Sequence, residues 1–263
     1  MKLGLSTWSL LGIDVYSAVR VIGDAGIEYV ELWGELPHAY PQWVDERRLR
    51  DVLSSYGMAL TMHAPFTDLN PAAPDQGVRA AVQKALTGFV DFSASLGASI
   101  VTAHPGSVHN EQLVAGSAKS SLETISKMVK AADGRLTINI ENQARSSSPY
   151  HHPLGSSSAS MLSLLAGAEG TGCTLDTGHA HASGIEPAGM QSELGDRVAE
   201  IHLSDNGGSS DDHLIPGEGS APLRRVLERA AASEALVCLE LNPHLYGVEQ
   251  VLEGFRRTTR MLP

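Results

Sequence analysis

Short hydrophobic runs alternate along the chain with longer segments in which apolar residues recur every three or four positions. The runs have the length and the Val, Ile and Leu content of buried strands, and the longer segments have the spacing of amphipathic helices. The pattern predicts strands at residues 3–7, 29–33, 59–63, 99–104, 136–141, 173–176, 199–203 and 236–241. It predicts helices between them at residues 15–25, 49–56, 78–96, 112–132, 159–168, 223–232 and 248–261.

Regular strand–helix alternation is typical of α/β proteins, and eight strands in 263 residues fit a (β/α)8 TIM barrel. An open doubly wound sheet is the alternative. It normally carries a glycine-rich phosphate loop after its first strand, and residues 6–14 contain no such loop. Because no linker or low-complexity tract divides the chain, we predict a single barrel domain over residues 1–263.

Composition excludes several classes of protein. Hydrophobic residues make up 42% of the chain and charged residues 19%, which excludes a disordered chain. Thirty acidic against 19 basic residues give a formal net charge of −11, unfavourable for nonspecific nucleic-acid binding. No apolar segment is long enough to span a membrane, and the N-terminal segment lacks the features of a signal peptide. We expect Cys173 and Cys238 to be buried thiols and the protein to be cytoplasmic.

Six successive predicted strands carry a His, Asp or Glu at or near their C-terminal ends. In strand order these residues are His63, His104, Glu141, Asp176, His202 and Glu240. The C-terminal ends of barrel strands converge on one face, where TIM barrels build their active sites. One such histidine is usually a packed core residue, but six polar residues in register predict a metal site.

Two loops extend this set. His179 follows Asp176 by three positions, and an extended Asp-x-His segment would place Asp211 and His213 on the same side of the chain. Together the strands and loops offer nine candidate ligands. Imidazole and carboxylate ligands without thiolates suit Zn, Mn, Fe or Co, of which we expect Zn, Mn or Co. Nine ligands exceed the needs of one ion, so we expect one to three divalent ions.

As an ordered set, these motifs resemble those of the xylose-isomerase-like TIM barrels, a superfamily that also includes endonuclease IV. The resemblance covers nearly the whole chain and is more specific for the superfamily than for the reaction. Its motifs here are His63-Ala-Pro-Phe66, His104-Pro-Gly106, Ile140-Glu141-Asn142, Leu175-Asp176-Thr-Gly-His179, His202-Leu-Ser-Asp-Asn206, Asp211-Asp-His213 and Leu239-Glu240.

The resemblance to sugar epimerases and ketose isomerases implies one metal held by Glu141, Asp176, His202 and Glu240. It also implies that Glu141 and Glu240 are catalytic and move the substrate proton, while His179 binds a substrate hydroxyl. The chemistry is sound, because a divalent ion stabilises the charge that develops on an enediolate. Two carboxylates on opposite faces of a carbon can remove and return its proton.

The resemblance to endonuclease IV implies a three-zinc phosphodiesterase that acts on abasic DNA. The implied ligands are His63, His104 and Glu141 for one ion, the four residues of the epimerase site for the second, and His179, Asp211 and His213 for the third. A barrel that binds a ligand without turnover is a third possibility. A pure binding protein, however, needs no matched pair of acid–base carboxylates.

The loops around the predicted site favour the sugar enzyme. Residues 31–43 and 64–76 carry acidic residues but no Lys or Arg, and only Arg145 lies near the predicted mouth as a candidate for substrate binding. DNA binding needs such cations. Trp8, Trp33 and Phe66 could stack on a sugar. We therefore predict a metal-dependent isomerase or epimerase of carbohydrate metabolism that acts on a sugar, sugar phosphate or polyol, with nucleic acid an unlikely partner.

Other polar residues receive no catalytic role. Glu218, between two glycines, is interpreted as a carboxylate that orients a ligating histidine. Residues 46–50 are interpreted as a solvated helix face with local ion pairs. The sequence does not indicate an oligomeric state.

Overall fold

The computed structural model describes residues 2–263, and eight of its strands form a closed parallel barrel. In chain order the strands are β1 (Lys2–Ser6), β2 (Tyr29–Trp33), β3 (Ala59–His63), β4 (Ile100–Ala103), β5 (Ser107–Val108), β6 (Thr137–Glu141), β7 (His152–Pro153), β8 (Thr171–Asp176), β9 (Val198–Leu203) and β10 (Leu236–Leu239). The barrel closes where β1 pairs with both β2 and β10. The short strands β5 and β7 pair separately in an antiparallel ribbon. The prediction of a (β/α)8 barrel is confirmed.

Helices cover the outside of the barrel. They are α1 (Val15–Asp24), α2 (Glu46–Tyr56), α3 (Gln76–Leu96), α4 (Val114–Ala132), α5 (Ser158–Gly167), α6 (Thr177–Ala182), α7 (Pro187–Leu194), α8 (Leu223–Ala231) and α9 (Val248–Thr259). The apolar pattern did not predict α6 and α7, because both helices are too short to show a repeated apolar period. The side chains of their N-cap residues, Asp176 and Glu186, accept hydrogen bonds from backbone N–H groups of the first turn.

The barrel interior contains a buried polar layer below its C-terminal mouth. Tyr29 and Thr61 hydrogen-bond to the carboxylate of Glu200, and Thr102 bonds to its other oxygen at 3.0 Å. All four side chains are fully buried. The apolar core lies mainly between the strands and the surrounding helices, so this polar layer forms the floor of the site above it.

Cys173 and Cys238 are both buried and free, as predicted. Among residues 2–263, no helix is both long enough and apolar enough to cross a bilayer.

A close approach between β1 and β2 gives a test of the barrel packing. A Cβ atom on Gly4 would lie 2.1 Å from Tyr29 Cδ1 and 2.6 Å from the Tyr29 carbonyl oxygen. We expect Gly4→Ala to lower the free energy of unfolding by about 1–3 kcal/mol, because the backbone limits how far Tyr29 can move. Urea denaturation followed by circular dichroism would measure this loss.

The matched control is Gly88→Ala in α3, where an added Cβ meets nothing within 4 Å. Alanine favours helix there, so we expect the free energy of unfolding to stay unchanged or to rise by up to about 1 kcal/mol. Equal destabilisation by the two substitutions would contradict the proposed packing constraint.

Candidate functional site

The structure brings all nine predicted ligands together at the C-terminal mouth of the barrel. Six come from strand ends or the positions just after them, one from α6, and two from the loop that follows β9. In chain order they are His63, His104, Glu141, Asp176, His179, His202, Asp211, His213 and Glu240. Most are buried, and Asp211 is the most exposed, with 30% of its side chain accessible.

Glu141 is the common partner of the histidines. Its Oε2 lies 3.2 Å from His63 Nε2 and 3.0 Å from His104 Nε2. Its Oε1 lies 3.2 Å from His202 Nδ1 and 3.6 Å from His179 Nδ1. One carboxylate at the end of β6 therefore links side chains from β3, β9, α6 and the segment after β4.

Four of these residues form an inner group at the centre of the mouth. Ligand atoms of Glu141, Asp176, His202 and Glu240 all lie within 4.8 Å of one another. Asp176 Oδ2 and Glu240 Oε1 are buried and have no hydrogen-bond partner among residues 2–263. Buried carboxylate oxygens are costly without a partner. A divalent cation would satisfy them, and a donor set of one imidazole and three carboxylates suits such an ion.

An outer group lies nearer the solvent. Asp211 Oδ2 is 3.1 Å from His179 Nε2 and 3.3 Å from His213 Nε2. The Asp-x-His segment is not extended as predicted, because His213 adopts the left-handed conformation with a φ of +48°. That conformation places His213 Nδ1 3.1 Å from the carbonyl oxygen of Glu240, so the loop reaches the same geometry by a turn.

Backbone carbonyl groups fix the orientation of three of the histidine rings. Nδ1 of His63 lies 2.9 Å from the Ala64 carbonyl oxygen, and Nδ1 of His179 lies 2.7 Å from that of Asn142. His213 has the same arrangement. Its Nδ1 also faces a carbonyl oxygen, while Nε2 faces a carboxylate of the cluster. Hydrogen bonds to backbone carbonyl groups therefore fix the orientation of these rings.

The close packing of carboxylates and imidazoles shifts their pKa values. Burial disfavours a charged ring at His63, but the hydrogen bond and charge of Glu141 outweigh it and raise the pKa of His63 to about 9. Burial also opposes a charged His202, whereas Glu31, Glu240 and Glu141 raise its pKa well above the usual value. Burial raises the pKa of Glu240 to about 7. Binding of a cation by these groups would therefore be coupled to the release of protons.

Glu31, which the sequence pattern places in an acidic loop, contacts the cluster. Glu31 lies within β2 with its side chain fully buried, and its Oε2 is 3.0 Å from His202 Nε2. The other acid of that segment, Glu35, accepts hydrogen bonds from the backbone N–H groups of Phe66 and Thr67. A lone Glu inside a hydrophobic strand was the available signal for Glu31.

Aromatic side chains form one wall of the cavity above the cluster, which has a volume of about 510 Å³. The predicted stacking residues Trp8, Trp33 and Phe66 all line it. Each also packs on a histidine of the cluster. Ring centroids are 4.7 Å apart for Trp8 and His213, 4.6 Å for Trp33 and His63, and 4.2 Å for Phe66 and His104. The wall therefore restricts the motion of the ligands as well as shaping the cavity.

Arg145 does not line this cavity. It lines a neighbouring cavity that shares His151 and Pro153 with the first, and its backbone N–H donates to Ser183 Oγ at 2.7 Å. No Lys or Arg occurs among the residues, all within 2–263, that line the main cavity. The cations near a substrate would be protonated histidines or a bound metal ion.

The interpretation of Glu218 as an orienting carboxylate is wrong. Its two oxygens instead accept hydrogen bonds from Tyr246 Oη at 2.7 Å and from Arg257 Nη1, on α9, at 2.8 Å. The hydrogen bond to a tyrosine and the ion pair with an arginine occupy the carboxylate that was expected to orient a histidine. The solvated helix face is confirmed by the exposed ion pair of Arg50 with Glu46.

Comparison with known protein families identifies the family of this chain. Residues 19–258 match the family model of the xylose isomerase-like TIM barrels. The chain belongs to this family. Family members at this level of similarity share the barrel and the position of its mouth, so the cluster lies where the fold builds active sites.

Two proteins and one solved structure are similar to this chain. An uncharacterised protein of Methanocaldococcus jannaschii is 28% identical over 237 residues, which cover 87% of this chain and 79% of that protein. The fructoselysine 3-epimerase of Shigella flexneri is 24% identical over 275 residues, covering 97% of both chains. The crystal structure of a D-tagatose 3-epimerase-like protein superimposes with a TM-score of 0.87 at 24% identity, covering 99% of this chain and 97% of that one.

The two groups of ligands predict separable metal sites. Because Asp211 contacts only outer-group histidines, we expect Asp211→Ala to lower the number of bound zinc ions by one and to leave the inner ion in place. Native mass spectrometry after chelation and zinc titration would count the ions.

The matched control for this experiment is Asp212→Ala, which removes the same charge from the neighbouring position. The Asp212 carboxylate bonds to Ser210 rather than to the histidines. An unchanged count in Asp211→Ala, or loss of every ion, would contradict the division into two groups.

Proposed function

We propose that this protein is a divalent-metal-dependent sugar epimerase or isomerase in which Glu141 and Glu240 transfer the substrate proton. The observation that carries the proposal is the inner group, which places two buried carboxylates and two further ligands around one point. The names of relatives such as fructoselysine 3-epimerase support a sugar substrate and a reaction at the carbon next to a ketone.

The barrel order separates the two proposed catalytic residues. Glu141 ends β6 and Glu240 follows β10, and in the closed sheet β8 and β9 lie between those strands. Those two intervening strands carry Asp176 and His202. Glu141 and Glu240 therefore approach the inner group from opposite sides. One can take a proton from one face of a substrate carbon while the other returns a proton to the opposite face.

Glu141, Asp176, His202 and Glu240 would hold the metal, which would polarise the substrate carbonyl and stabilise the negative charge of an enediolate. The chain supplies the remaining functions. The aromatic wall would shield one side of the substrate from water, and His179, which lines the cavity, would bind a substrate hydroxyl through Nε2, the nitrogen that faces Asp211.

The cavity lining favours an uncharged sugar over a sugar phosphate. A phosphate group is usually held by Lys, Arg or a row of backbone N–H groups, and the main cavity offers neither Lys nor Arg from residues 2–263. We expect D-fructose or D-tagatose to be converted with a higher kcat/KM than its 6-phosphate, measured by chromatography of the sugar products. A preference for the phosphates would contradict an uncharged substrate.

The proton-transfer role of Glu240 gives a mechanistic test. Glu240→Gln keeps the shape of the side chain but removes the base, so we expect kcat to fall by about 10²–10⁴-fold. The exposed Glu234, just before β10, supplies the control Glu234→Gln, for which we expect wild-type turnover.

Isotope labelling would identify the reacting carbon in the same experiment. In D₂O the wild-type product should acquire deuterium at the carbon beside the carbonyl, because a carboxylate exchanges its proton with solvent. Unlabelled product formed without internal transfer of the substrate proton would contradict the enediolate route.

The cluster also contains the full set of nine side chains that a three-zinc phosphodiesterase would use. The electrostatics of the mouth oppose that alternative. With a net charge of −11 and no Lys or Arg in the cavity lining drawn from residues 2–263, the chain has little to neutralise DNA phosphates. We expect no tight binding and no incision of abasic-site duplex at about 0.15 M salt. Incision by the wild type that is lost in Glu141→Ala would overturn the proposed reaction.

A further inference from the structure

Glu31 lies beneath the proposed metal site, and its burial calls for an explanation. All five residues of β2 are buried, and no part of the Glu31 side chain reaches solvent. Its sole hydrogen-bond partner within residues 2–263 is His202, through Oε2, and its Oε1 has no partner. A carboxylate in such surroundings opposes folding unless its charge serves another group.

The polar layer below does not account for Glu31. Glu200 is the carboxylate of that layer, and its oxygens already accept hydrogen bonds from Tyr29, Thr61 and Thr102. None of these hydroxyl groups donates a hydrogen bond to Glu31. Within residues 2–263, the His202 ring is therefore the one hydrogen-bonding group that the Glu31 carboxylate orients.

The ring of His202 is oriented differently from the rings of three other histidines in the cluster. His63, His179 and His213 each direct Nδ1 at a backbone carbonyl and present Nε2 to the cluster. His202 is reversed, because its Nδ1 faces Glu141 Oε1 at 3.2 Å and its Nε2 faces the Glu31 carboxylate. At His202, the nitrogen that points away from the cluster faces a carboxylate, whereas in the other three rings it faces a backbone carbonyl.

We propose that Glu31 is a positioning residue that acts through His202. It accepts the Nε2 hydrogen, which fixes the ring orientation and leaves the Nδ1 lone pair directed at the inner metal site. Its negative charge also strengthens His202 as a donor to a cation. The inference rests on the metal centre of the proposed function and adds a residue that contacts neither metal nor substrate.

Metal affinity is the first test. We expect Glu31→Gln to weaken binding of Zn²⁺ or Mn²⁺ at the inner site by about 10–100-fold, measured by calorimetry on folded, chelator-treated protein. The number of bound ions at saturation should stay that of the wild type. Unchanged affinity in a folded variant would overturn the proposal, and so would the loss of one bound ion, since Glu31 would then itself be a ligand.

Glu200→Gln is the matched control. Glu200 is equally buried and has a ligand atom within 4.8 Å of those of Glu31 and His202, but its carboxylate bonds to Tyr29, Thr61 and Thr102 rather than to the His202 ring. We expect it to weaken metal binding less than Glu31→Gln does, because the hydrogen bond that orients His202 stays in place. Equal weakening in the two variants would show that buried charge in general, and not the Glu31–His202 bond, sets the affinity, which would contradict the positioning role.

A second measurement needs no variant of Glu31. In zinc-loaded wild-type protein labelled with ¹⁵N-histidine, long-range ¹H–¹⁵N spectra should show His202 protonated at Nε2 and metal-bound at Nδ1. The His202→Asn spectrum would assign the signal. The opposite tautomer would overturn the proposal even if the Glu31 variants failed to fold.

These readouts separate the inference from the proposed reaction. Zinc binding that depends on Glu31 in a protein that converts no sugar would support the positioning role and contradict the proposed function. Sugar turnover with a zinc affinity unaffected by Glu31→Gln would do the reverse.

Discussion

Buried negative charge at the barrel mouth is the constraint on which the site depends. Glu141, Asp176 and Glu240 converge where the lining, within residues 2–263, supplies no Lys or Arg. The carboxylates are surrounded by histidines instead, and Glu141 contacts four of them. The unpartnered oxygens of Asp176 and Glu240 show that the imidazoles do not satisfy every acceptor. A bound cation would complete the balance, and stability and metal binding would then depend on the same groups.

The ligands were predictable because barrel topology converts position along a strand into position in space. In a closed barrel of parallel strands, polar residues at or near the C-terminal ends of six strands all lie at the same mouth. Glu31 was harder to predict, because it lies mid-strand and its partner is 171 positions away along the chain. Alternation of side chains does not distinguish a buried carboxylate from one facing solvent until the barrel interior is known.

The paths of two loops could not be predicted from the sequence, for other reasons. The Asp211–His213 segment meets the cluster through the left-handed backbone of His213, a conformation that a non-glycine residue adopts only where its surroundings enforce it. Arg145 follows the mouth residue Glu141 by four positions, yet it lines the neighbouring cavity rather than the main one. The β5–β7 ribbon contributes residues to the walls of both cavities. Loop paths depend on such contacts rather than on hydrophobic period.

The surroundings of the ligands, more than the ligands themselves, separate the reactions that this cluster could support. The same imidazoles and carboxylates suit proton transfer or phosphodiester hydrolysis. Trp8, Trp33 and Phe66 instead form an apolar wall against three of the histidines, which suits the apolar face of a sugar ring and lowers the dielectric around the carboxylates. A polyanionic duplex would meet that wall and the acids of the mouth without cations to hold it. The wall and the missing cations therefore weigh more than the ligand count.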